Sequence, residues 1–137
     1  MEAREHNGTS FYAYLEDNRL MGSRCGSCRA LHVPPRPLCP TCYGDEMSWE
    51  EMSGTGELVA FTTVHIGPTA MIAAGYDRHN PYCAGIVRLS EGPTVSGQII
   101  GVDPSDPESI AIGTRLRATY VKRGYDTGTF LAFEPLD

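Results

Sequence analysis

Cys25-Gly26-Ser27-Cys28 and Cys39-Pro40-Thr41-Cys42 are two cysteine pairs, each with a two-residue gap, separated by residues 29–38. A gap of two lets both thiolates of a pair turn toward one point. Two such pairs complete a tetrahedral sulfur cage, and zinc is the metal that cage suits best. Four sulfurs saturate the ion and leave no position for water or substrate. The pattern therefore predicts one structural Zn2+ held by Cys25, Cys28, Cys39 and Cys42, with no chemistry performed at it. Two disulfides or a rubredoxin-like iron site are the other uses of four such cysteines. Ligand spacing in both pairs, with no hydrophobic signal core in the polar stretch 1–10, favours zinc and a cytoplasmic location.

Working outward, the connection between the pairs (Arg29 to Leu38) is proline-rich and predicts an extended, hairpin-like return. His32 lies within it; beside four cysteines it reads as a surface residue. Residues 19–42 carry Arg19, Arg24, Arg29 and Arg36 and no carboxylate, whereas residues 43–137 hold thirteen Asp and Glu against six Lys and Arg. The ribbon is thus weakly basic within a chain of net charge −6. That contrast suits an acidic partner or a phosphate group, or simply offsets the thiolate charge.

Before the ribbon, Phe11-Tyr12-Ala13-Tyr14-Leu15 and Leu20 fall at roughly helical spacing. Ser10 is the expected N-cap, and Asn18 and Gly22 mark the expected end. So short a helix needs its aromatic face docked, on its own domain or on a partner. After Gly54 the period changes to two. Leu58 to His65, Tyr82 to Leu89, Thr94 to Val102, Arg115 to Val121 and Thr129 to Phe133 read as five strands separated by turn signals. Fifteen Gly and ten Pro fit such a turn-rich chain. Five short strands suit a small closed barrel of the OB type. The expected architecture is mainly β: an N-terminal helical arm (1–22), a rubredoxin-like zinc ribbon (23–50) and a five-stranded OB-fold barrel (51–137).

The connection from Gly67 to Pro81 combines an apolar run, Ala70-Met71-Ile72-Ala73-Ala74, with a polar cluster, Tyr76-Asp77-Arg78-His79-Asn80. Apolar residues in a loop point to a partner surface or an acyl-binding wall, or to a segment folded back over a barrel end. For Met71 and Ile72 the fold-back is favoured. Cys83 with His79 and Asp77 could suggest a thiol nucleophile and its base. Yet Cys83 falls in an apolar strand, where a buried structural thiol is expected. A lone strand histidine such as His65 is more often structural. No phosphate loop, nucleophile elbow or paired metal-binding histidine motif is present, and no catalytic residue is assigned. Single-stranded nucleic acid is the alternative ligand of an OB barrel. Arg115 and Arg117 could share a face, with Lys122 and Arg123 at its end, but Phe130 and Phe133 have opposite parity, and the barrel is acidic. No run of eighteen apolar residues offers a membrane span.

In order, these residues are the aromatic helix, Arg24-Cys25 with the first knuckle, Pro34-Pro35-Arg36 and the second knuckle. Gly54-Thr55-Gly56-Glu57-Leu58, Pro81-Tyr82, Leu89-Ser90-Glu91-Gly92, Ile112-Gly113-Thr114 and Phe133-Glu134-Pro135 follow. The series resembles the zinc-ribbon/OB-fold family, long known as a domain of unknown function, that accompanies thiolases and other acyl-CoA enzymes. The resemblance spans about residues 10–135. It implies a non-catalytic accessory subunit of lipid or steroid metabolism. Its partner would be a thiolase, an acyltransferase, a steroid side-chain retro-aldolase or an acyl-CoA hydratase, which supplies the catalytic groups. The subunit would stabilise that partner and contact or channel the CoA thioester. Only the four zinc ligands transfer onto individual positions. Tyr43-Gly44 stands where an immediate glycine is usual, and residues 76–80 have no assigned counterpart. Taken together, the charge pattern and the resemblance mark Arg24, Arg29 and Arg36 as candidate contacts for CoA phosphates or an acidic partner face.

Overall fold

The computed structural model describes residues 5–122 and 129–136. Helix α1 (Gly8–Glu16) opens the fold. Its N-cap is Asn7, not Ser10: the Asn7 side chain accepts the Ser10 N–H at 3.0 Å. An Asn side chain at the cap satisfies a donor that the first helical turn leaves free. Beyond Asp17 the chain turns at Asn18, in the left-handed region with φ 58°. The helix docks on its own domain, burying Phe11, Tyr14 and Leu15. Trp49 ties it to the ribbon, with His6 stacked on the indole at 4.4 Å and Tyr14 meeting it edge-on at 4.9 Å.

The ribbon is a three-stranded antiparallel sheet of β1 (Met21–Cys25), β2 (Leu31–His32) and β3 (Met47–Glu51), in the order β2-β1-β3. Sequence patterning had not separated these strands, because β2 is too short for alternation and β3 is largely polar. Gly22 is required where β1 and β2 meet, since a Cβ there would lie 2.7 Å from the His32 carbonyl oxygen. Buried Ser23 is satisfied by the Arg36 N–H, which donates to its Oγ at 2.9 Å.

The second body is a closed barrel of β4 (Thr55–Val64), β5 (Tyr82–Leu89), β6 (Thr94–Ile99), β7 (Arg115–Lys122) and β8 (Thr129–Pro135), ordered β4-β5-β6-β8-β7. Every pairing is antiparallel except β6 with β8, which is parallel through Gln98↔Ala132 and Ile99↔Phe133. This is the expected five-stranded OB barrel. Strand β5 has the expected bounds, while β4 starts three residues earlier and β6 ends at Ile99, before Gly101 turns the chain with φ 74°. A bulge between Leu58 and Ala60 changes which residues of β4 face inward. Gly56 and Leu58 are buried, but past Val59 it is Phe61 and Thr63 that are the more covered and Ala60 and Thr62 that are exposed. One core runs from barrel to ribbon, joining Leu58, Val87, Ile99, Leu116 and Phe133 to Phe11, Leu15, Leu20 and Val33.

Between β4 and β5 the chain forms a short helix, α2 (Thr69–Ala73), which loop composition had concealed. Its two apolar residues part company. Met71 folds inward, as expected, but Ile72 is 54% exposed, because neighbours on a single helical turn cannot face one side. Tyr76 holds the segment to the barrel by accepting a hydrogen bond from Gln98 Nε2 at 2.9 Å and packing edge-on to Tyr82 at 5.4 Å.

Candidate metal centre and partner surface

Strand β1 delivers Cys25 to the end of the ribbon, and the first knuckle turns there through the Arg29 N–H bonded to the Cys25 carbonyl at 2.9 Å. The second knuckle repeats the device, with Tyr43 N–H on the Cys39 carbonyl at 2.7 Å. Arg29 and Tyr43 occupy equivalent places and share the left-handed region, with φ 70° and 63°. Gly44 lies against the sulfurs: a Cβ there would sit 3.3 Å from Cys42 Sγ and 3.7 Å from Cys25 Sγ. The glycine one residue late thus serves close packing, while Tyr43 itself takes the left-handed turn.

The four Sγ atoms lie within 4.8 Å of one another, with Cys25–Cys42 and Cys28–Cys39 both at 3.5 Å. A tetrahedron with metal–sulfur bonds of about 2.3 Å has edges of about 3.8 Å, so the cage has the size of a Zn2+ site. Cys25 and Cys39 are buried, Cys28 and Cys42 exposed. The Cys28 N–H approaches Cys25 Sγ at 3.5 Å and, with other donors, lowers the Cys25 thiol against the effect of burial. Burial also opposes ionisation of Cys39, yet the N–H groups of Cys42 and Thr41, with His32 and Cys28, bring it down to about 5. Cys28 moves the other way. Although the Ala30 N–H favours its thiolate, desolvation and the three crowding sulfurs push it up to about 12. Four sulfurs this close cannot all carry charge without a cation between them, which is the condition a zinc cage meets.

His32 is not the surface residue expected from sequence. It is half-buried, and its Nε2 lies 3.5 Å from Cys39 Sγ. The three candidate arginines are placed differently. Arg24 is held in a fork, Nη2 to Glu50 Oε2 at 2.8 Å and Nε to Glu50 Oε1 at 3.2 Å, while Nη1 donates to the Arg29 carbonyl at 2.7 Å. That contact holds the Glu50 carboxyl below its ordinary range. Arg29 and Arg36 are exposed, and among the described residues neither guanidinium makes an ion pair, although the Arg29 charge adds to that of Arg24 in holding the Glu50 carboxyl down. The Glu50 fork was hidden from sequence because it depends on β1–β3 register.

Cys83 is fully buried in β5, and burial pushes its thiol up, whereas His79 is exposed. Asp77 is occupied as a turn-former, accepting the N–H groups of His79 at 2.8 Å and Asn80 at 3.0 Å. These three residues form no nucleophile–base pair. His65 is exposed at the end of the first barrel strand. Of the residues weighed for nucleic acid, Arg115 is exposed. Arg117 is paired with Glu134 at 2.9 Å, Phe133 is fully buried, and Arg123 lies outside the described residues. No described helix is long and apolar enough to cross a membrane. Large apolar side chains are exposed instead on the ribbon, at Leu38 and Tyr43 (83%), and on the β4–β5 connection, at Ile66 (87%) and Ile72.

Known proteins give this arrangement a context. A family model described as the ChsH2 rubredoxin-like zinc ribbon domain matches residues 13–48, and the ChsH2 C-terminal OB-fold domain matches residues 49–121. A "DUF35 domain-containing scaffold protein" of Methanocaldococcus jannaschii is 29% identical over 124 residues, covering 86% of this chain and 82% of that protein. The "Benzoylsuccinyl-CoA thiolase subunit BbsA" of Thauera aromatica is 30% identical over 99 residues, covering 69% of this chain and 64% of that one. A solved structure titled "Ltp2-ChsH2(DUF35) aldolase" superimposes with a TM-score of 0.79 at 25% identity over the full length of both chains. The ribbon, the barrel and their order along the chain are those of one family, and this protein belongs to it: the ChsH2 family of rubredoxin-like zinc ribbons joined to an OB-fold domain.

Proposed function

We propose that this protein is a non-catalytic, zinc-binding accessory subunit that docks on a thiolase-like enzyme, stabilises it, and helps to bind or channel its acyl-CoA. The observation that carries this reading is the pairing of a closed sulfur cage with exposed apolar side chains on the ribbon and the β4–β5 connection. A four-sulfur site has no open position for a substrate, so its service is to hold the ribbon in shape. Leu38, Tyr43, Ile66 and Ile72 are the kind of side chains that a protein interface covers. The names of the thiolase subunit and the aldolase complex among its relatives support an acyl-CoA enzyme as the partner.

Arg29 and Arg36 are available to CoA phosphates, whose geometry a guanidinium matches. Arg24 is committed to Glu50 and serves mainly to fix the first knuckle. Co-expression with a candidate thiolase-like partner is expected to give one co-eluting complex. In that complex Arg29→Ala and Arg36→Ala should each raise the KM for acyl-CoA roughly tenfold, the worth of one charge-assisted hydrogen bond. Separate elution would overturn the accessory reading. Intact assembly with unchanged KM in both variants would overturn the phosphate contact alone.

A further inference from the structure

We propose that His32 is a positioning residue of the metal centre, donating a hydrogen bond from Nε2–H to the sulfur of Cys39. The geometry carries the assignment. His32 Nε2 lies 3.5 Å from Cys39 Sγ, a reach suited to an N–H···S contact. A metal-bound thiolate offers lone pairs and no proton, so the ring must be the donor. Its hydrogen is therefore on the nitrogen that faces the sulfur.

Burial makes Cys39 dependent on donors from the protein, and His32 adds one to those of its own knuckle. Cys28 and Cys42 are exposed. Cys25 and Cys39 are each 0% exposed and depend on donors from the protein. Cys25 draws on the knuckle N–H of Cys28. Cys39 draws on the knuckle N–H groups of Cys42 and Thr41, and the imidazole reaches it in addition from β2, outside the knuckle.

The backbone around His32 is built to hold the ring there. Strand β2 is two residues long, and its pairing Ser23↔His32 fixes the histidine opposite the middle of β1. Gly22 lets the two strands approach until a Cβ would lie 2.7 Å from the His32 carbonyl oxygen. Val33, next in the chain, is buried in the common core. These contacts fix the backbone from which the imidazole reaches Cys39. A donor to a ligand sulfur draws charge off the cage and holds the ligand's orientation, which strengthens the grip on the ion.

The test uses the full chain loaded with zinc or cobalt. His32→Phe keeps a ring but removes the donor, and His32→Gln keeps a donor of similar reach. Loss of zinc to a competing chelator should be roughly 10–100-fold easier in His32→Phe, and His32→Gln should recover most of that loss. The sulfur-to-cobalt charge-transfer bands should shift in His32→Phe and return toward the wild-type position in His32→Gln. Equal retention in wild type and His32→Phe would overturn the proposal. So would equal impairment of both variants, which marks ring packing instead. If His32→Phe does not fold, the wild-type chain decides: the 15N signal of His32 Nε2 must be that of a protonated nitrogen, and an unprotonated Nε2 overturns the assignment.

Discussion

Cys83 shows how one buried side chain acquires a pH signature. It is fully covered in the barrel core, opposite Thr63 and Ile99 in the register of β5 with its neighbours. Burial raises its folded pKa above the ordinary 9.0, so the unfolded chain gives up this proton first. Stability from this group is therefore complete below pH 9 and declines as pH rises from there through the folded value. Denaturant midpoints measured across this range should show the decline in wild type and a shallower one in Cys83→Ala. Identical alkaline slopes would rule the effect out. Cys83→Ser should be the worse substitution by about 1–3 kcal/mol, because it leaves a hydroxyl in an apolar site. The buried state of Cys83 was legible from its apolar surroundings. The surroundings of His32 were not, because its contact with Cys39 arises from strand pairing and not from anything local in the sequence.

Among the elements, legibility follows the physics of each signal. Strand β5 could be bounded to the residue because its apolar run is set off by Pro81 before it and Ser90-Glu91-Gly92 after it, and in the fold Cys83, Gly85, Val87 and Leu89 face inward. In β4 the period of two was visible, but the bulge that changes which residues face inward is a property of pairing. Helix α2 is short and holds only one inward side chain, so it leaves no period to detect. The four ligands were legible because knuckle spacing is dictated by the coordination sphere itself. A consequence follows for metal removal. The ribbon sheet contains a two-residue strand and leans on the cage for its turns, whereas the barrel closes on its own ladders. Stripping the ion with a chelator is expected to erase amide protection in β1–β3 while β4–β8 keep theirs, as read by hydrogen exchange. Simultaneous loss of protection throughout would show that the shared core couples the two bodies more tightly than this.

At the scale of the whole molecule, folding and association draw on different side chains. The core from Phe11 to Phe133 is closed, and Tyr43, Ile66 and Ile72 contribute little to it. Tyr43→Asp and Ile72→Asp should therefore leave the denaturation midpoint of the isolated chain within about 0.5 kcal/mol of wild type. In the complex proposed above, at least one of them should weaken binding by about 2 kcal/mol, near thirtyfold, as an interface anchor does. Titration calorimetry beside chemical denaturation separates the two. A loss of stability as large as the loss of binding would place these residues in the fold and not on the docking face.

The bulge at Val59 has a consequence of its own. Pairing of Gly56, Glu57 and Leu58 with Leu89, Arg88 and Val87 is registered on one side of it, and pairing of residues 60–64 with 86–82 on the other. The hairpin is thus two ladders in opposite phase, joined at a point of slack. Chain length can change at that joint while each ladder keeps its own partners, whereas a residue gained or lost within either ladder would turn a whole run of side chains inside out. Val59 is where this barrel can tolerate being re-cut.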